Sequence, residues 1–247
     1  VEERGGDLVQ AEERLDHPRG PEQGRDHERP GFRGGLGEGE PVHLPALAER
    51  APDVGALAGG VQPGRDLRLT LDLAYQRAAA FLGRCQHLKA TNDQPWAAND
   101  GGFVYRPGES KAGQTPDGGL RSYGAMTYAG LKSMIYARLR KGDQRVQAAY
   151  GWICAHWTVE ENPGLGQQGL YYYYLVMARA LNAYGAERIV EPDETAHDWR
   201  RELIGRLLTV QRADGSWINE NGRWMESIPE LTTAYACLAV EQASAGW

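Results

Sequence analysis

From Leu71 onward the apolar positions recur at steps of three and four residues, the period of the α-helix, and they do so in two alternating patterns. Over 71–88, 143–157 and 197–211 they mark one face only; the last stretch sets Trp199, Leu203, Ile204, Leu207 and Leu208 between arginines. Helices of this kind keep one wet face. Over 122–139, 170–184 and 230–243 the residues are apolar or small nearly all round. A helix without a polar face must be covered on most sides. The alternation therefore predicts an all-α domain of two concentric layers, built from three sequential hairpins over residues 69–247.

Local chemistry supplies the punctuation. Ser122 and Asp143 are placed to act as N-caps, Gly142 and Gly185 stand where a left-handed residue ends a helix, and Pro229 sits at a helix start that tolerates it. The connections carry Asn99-Asp100-Gly101-Gly102, Asp117-Gly118-Gly119, Asn162-Pro163-Gly164 and Asp214-Gly215, all turn formers.

Residues 1–68 read differently. Up to Thr70 there is no Ser, Lys, Asn, Ile, Met, Tyr, Trp or Cys, and the stretch is built mostly from Gly, Arg, Glu, Pro, Ala, Leu, Asp and Val. So few large apolar groups cannot offset the entropy of ordering, which predicts a disordered tail. The opening on Val rather than Met, followed by this restricted alphabet, implies a truncated or misread gene start.

The formal net charge of −6, with both signs interspersed along the tail, gives no basic footprint and argues against a nucleic-acid partner. No apolar run is long enough for a membrane span, and no signal-peptide pattern opens the chain, so the compartment is left open. Cys85, Cys154 and Cys237 are widely spaced and odd in number, which points to free thiols rather than a disulfide framework or zinc ribbon.

The segment Gln211-Arg212-Ala213-Asp214-Gly215-Ser216-Trp217 follows the third amphipathic stretch, and Gln86 with Gly101-Gly102-Phe103 stands as a degenerate copy after the first. Gln, three residues, Gly, one residue and Trp resembles the QW motif of the squalene-hopene cyclase and protein prenyltransferase repeat family. The stretches 121–137, 161–175 and 217–238 resemble bacterial squalene-cyclase-like proteins. The resemblance implies an α/α toroid. In it Gln211 ties a helix end, Gly215 turns the chain and Trp217 stacks on a neighbouring repeat. Three hairpins make an incomplete ring, which implies a longer natural chain, a fragment, or self-association of copies through the open concave face.

Cyclases of that family use an acid motif, Asp-x-Asp-Asp-Thr-Ala. The nearest counterpart here is Pro229-Glu230-Leu231-Thr232-Thr233-Ala234. A Thr232 hydroxyl is too weak an acid to protonate an alkene. The loop carboxylates Asp100, Asp117, Glu160, Glu161, Asp214 and Glu226 read as turn residues or solvated charges. The Asp, Cys and His of a prenyltransferase zinc site have no counterpart either: Cys154 and His156 fall on different helix faces, and no metal or other cofactor is expected. The resemblance thus implies polyprenoid binding or cyclisation, without turnover by this chain alone. Successive residues of the run 171–174 point around the helix, so only one or two of its tyrosines can face one cavity. The expected lining is Tyr123, Thr127, Tyr171, Tyr173, Thr232 and Tyr235, holding a hydrophobic or ring-shaped molecule. Two alternatives stay open: a carbohydrate-binding or carbohydrate-cleaving toroid, and a non-catalytic interaction module.

Overall fold

The computed structural model of the chain describes residues 63–245. Six α-helices lie there: α1 (Pro63–Cys85), α2 (Gly124–Tyr136), α3 (Gln144–Ala155), α4 (Leu170–Tyr184), α5 (Trp199–Thr209) and α6 (Pro229–Ser244). A two-residue antiparallel hairpin, β1 (Ile189–Val190) with β2 (Ala196–His197), precedes α5. The tail expected over 1–68 falls mostly outside the described residues. Its last six positions belong instead to α1, which starts at Pro63, because proline at a first helical position loses no hydrogen bond.

The helices that were expected to be covered form one row: α4 packs against α2 on one side and α6 on the other. The amphipathic helices lean on that row, α1 and α3 against α2, and α5 against α6. At the centre, α4 buries ten of its fifteen residues, from Leu170 to Leu181. By contrast α6 buries only Thr232, Ala236, Ala239 and Ala243, a 4-3-4 stripe, so one face packs and the rest does not. Its sequence lacks a polar face because its residues are small, not because every side is covered. Helix α1 departs in the same sense, with Leu67, Leu69, Leu71, Leu73 and Phe81 all exposed.

Most punctuation falls where the residues placed it, with two shifts. Asp143 accepts from Arg145 N–H, Gly185 ends α4 at φ 67°, and Pro229 opens α6. The N-cap of α2 is Tyr123 rather than Ser122, whose Oγ is taken by Asp100 Oδ1 and His87 Nδ1, each at 3.0 Å. The left-handed residue after α2 is Arg138 at φ 67°, not Gly142.

One turn occurs twice. In Asp100-Gly101-Gly102-Phe103 the Asp100 carboxylate accepts from Gly102 N–H at 2.9 Å, Gly101 sits at φ 85°, and Phe103 N–H donates to Thr127 Oγ1 at 3.1 Å. In Asp214-Gly215-Ser216-Trp217 the same three features recur: Ser216 N–H to Asp214 at 3.0 Å, Gly215 at φ 84°, Trp217 N–H to Thr233 Oγ1 at 3.1 Å. A glutamine amide closes each copy, Gln86 on Gly101 O at 2.9 Å and Gln211 on Gly215 O at 2.8 Å. The aromatic residue of each copy is buried, and Trp217 Nε1–H donates to Leu207 O near the end of α5 at 2.8 Å.

The two glutamines differ in weight. Gln86 is fully buried and also donates to Arg145 O in the first turn of α3 at 2.8 Å, whereas Gln211 is exposed. Removing a buried donor strands two carbonyls, so Gln86→Ala should cost about 2–4 kcal/mol in urea unfolding, and Gln211→Ala under about 1 kcal/mol. Equal costs would contradict this division.

Candidate functional site

The N-terminal ends of α2 and α4 and the second turn of α6 converge on a cavity of about 400 Å³. Ala125 and Met126 come from α2 and Tyr123 from its N-cap, Tyr172 from the first turn of α4, and Tyr235 from α6. The connections complete it with Tyr105, Lys111, Leu165 and Trp224. Tyr172 and Tyr235 meet edge to face, centroids 6.0 Å apart. Tyr123, at a β-like φ of −151°, turns its ring into the interior and is only 3 % exposed.

Two buried polar side chains build the floor. Asn162 accepts from Ala125 N–H at 2.9 Å and donates to Gln168 O at 3.0 Å, joining the start of α2 to the lead-in of α4. Glu226 is fully buried. Its Oε1 accepts from Tyr172 N–H at 2.8 Å, and its Oε2 accepts from Tyr171 N–H at 3.3 Å and from Asn219 Nδ2 at 2.7 Å. The residue before α4 is Gly169, in a left-handed conformation with no side chain to offer. Glu226 therefore caps α4 from the far end of the fold, at the positive pole of the helix.

The segment leading to Glu226 is strained. Trp224 and Met225 both hold positive φ, 57° and 65°, which side chains with a Cβ adopt at a cost of about 1–3 kcal/mol each. Trp224 lies against Gly169, where a Cβ would come within 2.8 Å of its ring. Arg223 stacks on the indole at 4.4 Å and donates to Gln168 Oε1. Lys111 sits over the Tyr105 ring at 4.6 Å and pairs with Glu109.

Of the six residues expected to line a cavity, Tyr123 and Tyr235 do so. Thr127 is enclosed, accepting from Phe103 N–H and donating to Tyr123 O. Thr232 is likewise committed, its Oγ1 donating to Glu226 O at 2.6 Å. Tyr173 is a core residue, with its hydroxyl on Thr158 O and its ring edge-on to Tyr128. Tyr171 faces a second, more polar depression with Tyr174, Arg206, Asn219 and Asn221. Within the four-tyrosine run the ring in the aromatic cavity is Tyr172, because the helix turns its neighbours 100° away on either side.

The remaining carboxylates lie elsewhere. Asp117 and Asp214 are exposed turn residues, and Glu160 pairs with Arg206 at 3.2 Å. Ser122 Oγ meets both Asp100 Oδ1 and His87 Nδ1, Asp100 Oδ1 lies 3.6 Å from that same ring nitrogen, and His87 Nε2 is buried with no partner among the described residues. That geometry ties the turn at Asp100 to the start of α2. Among the described residues no group of three or more His, Cys, Asp or Glu is arranged to hold a metal ion, and no helix is long and apolar enough to cross a membrane. All three cysteines are free thiols.

Burial raises the pKa of Glu226 above the ordinary glutamate value, against the pull of its Asn219 and amide hydrogen bonds. A folded-state pKa above the unfolded one means that this group favours folding most below its unfolded pKa and loses that contribution as pH rises through the folded one. Thermal melts of wild type and Glu226→Gln between about pH 4 and pH 7 should diverge, the variant gaining on wild type as pH rises. A pH-independent difference would show that the carboxyl has the same pKa folded and unfolded. Searches of protein-family models, of curated proteins and of solved structures find no match to this chain.

Proposed function

We propose that the described domain binds a small hydrophobic ligand of isoprenoid character in the aromatic cavity. In this reading α2, α4 and α6 form part of the inner wall of an incomplete α/α toroid of the squalene-cyclase and prenyltransferase type, with α1, α3 and α5 outside. One observation carries the proposal: four tyrosines and a tryptophan surround a cavity whose size suits a small organic ligand. Aromatic walls without a dense set of polar groups favour apolar over heavily hydroxylated molecules. The turn repeated around Phe103 and Trp217 supports the hairpin-repeat element of the reading.

Binding is proposed rather than turnover. Thr232 and Thr233 donate or accept within the chain at the position resembling the cyclase acid motif, and Glu230 is exposed. The carbohydrate alternative is less well supported, since glycoside cleavage uses two facing carboxyl groups and Glu226 is the one carboxylate lining this cavity.

Thermal-shift titration of the full chain tests the reading. Farnesol or squalene should raise the melting temperature; a ligand at 100 times its Kd adds about 2.7 kcal/mol. Trp224→Ala, at a ring that is 42 % exposed and contributes little to the core, should weaken that response severalfold with the unliganded melting temperature nearly unchanged. Stabilisation by oligosaccharides alone would overturn the proposal.

A further inference from the structure

The Glu226 carboxyl is buried with no basic side chain set against it among the described residues. Its hydrogen-bond partners are backbone amides and the Asn219 amide, and among the described residues no basic side chain pairs with it. Buried carboxylates are ordinarily balanced by a cation or a metal, because amide donors satisfy the lone pairs without cancelling the charge. The helix pole contributes about half an elementary charge at most. Directly beside this uncompensated carboxylate stands a cavity walled by Tyr105, Tyr123, Tyr172, Trp224 and Tyr235.

Aromatic faces attract cations, and most strongly those that are weakly hydrated, such as alkylated ammonium groups. Two of the five rings already hold one: Lys111 lies over Tyr105 at 4.6 Å and Arg223 over Trp224 at 4.4 Å. Both are engaged elsewhere, Lys111 with Glu109 and Arg223 with Gln168, so neither reaches the carboxylate as a partner. The walls at Tyr123, Tyr172 and Tyr235 carry no such occupant among the described residues.

We infer that the ligand of the aromatic cavity carries an alkylated ammonium centre, seated among the tyrosine faces with Glu226 as its buried counter-charge. The inference rests on the cavity being the ligand site and adds the chemistry of the head group. The carboxylate is not required to touch the ligand. A cation held at the rings feels it through a medium of low dielectric, where charges a few ångströms apart interact far more strongly than in water.

Three ligands with one decyl chain and different heads separate this inference from the reading beneath it: decyltrimethylammonium, 1-decanol and decanoate. Isothermal titration of the full chain, below the micelle concentration of each, should give the ammonium a Kd at least about tenfold below that of the alcohol, with decanoate the weakest. Glu226→Gln should narrow the ratio between the ammonium and alcohol Kd values to within about threefold, the ratio being the readout whatever the absolute affinities become. Should that variant fail to fold, Tyr235→Leu provides the second test, lowering the ratio of ammonium to alcohol affinity severalfold. Equal binding of all three heads would overturn the inference and leave a hydrophobic cavity. Tighter binding of decanoate would overturn it in favour of Lys111 and Arg223 as head-group ligands. No binding of any of the three would remove the ligand reading as well.

Discussion

The capping of α4 by Glu226 is the interaction on which the rest of the arrangement depends. Helix α4 is the middle of the α2–α4–α6 row and the most deeply buried element, yet its own sequence begins with Gly169 and offers no side chain to its first amides. Leaving those donors unpaired inside the fold would cost about 1–3 kcal/mol each. Glu226 removes that cost and in doing so fixes the segment just before α6 to the start of α4. Thr232, inside α6, locks the same residue through its backbone carbonyl. One carboxylate thus sets the spacing of two helices in the row and forms the floor of the cavity between them.

The duplicated turn does comparable work at the opposite element of each hairpin. A left-handed glycine, an aspartate one residue earlier and a threonine in the following helix hold Phe103 and Trp217 in equivalent places against α2 and α6. The connection before α4 uses Asn162 for the same purpose, with different chemistry: its amide reaches both Ala125 and Gln168. Three connections therefore position three row helices, two by a shared device and one by its own. Gly101 shows how tight the packing is, since a Cβ there would lie 2.3 Å from Ala148 O of α3.

Helix existence was legible wherever periodicity ran unbroken. The bounds of α4 follow directly from 170–184, and Gly185 ends it as its lack of a Cβ leads one to expect. Burial was less legible. A run of alanine, threonine and cysteine in α6 reads as apolar all round, but small side chains are equally compatible with a half-exposed helix, and only tertiary packing separates the two. The cavity was half legible: Tyr123 and Tyr235 lie on periodic segments, whereas Tyr105, Lys111 and Trp224 lie in connections where no period constrains direction. Glu226 was visible as a loop carboxylate but not as a cap, because its partners lie 54 and 55 residues away in the chain.

The contact between Gly169 and Trp224 has a consequence for how the sequence can drift. Position 169 must be glycine on two independent grounds, its φ of 64° and the indole ring pressed against its missing side chain. Were the tryptophan replaced by a small residue, the steric ground would vanish and only the backbone one would remain, which asparagine can meet. In related chains, non-glycine residues at the first position should therefore appear only where the second has already lost its ring, a one-way order of substitution imposed by shape alone.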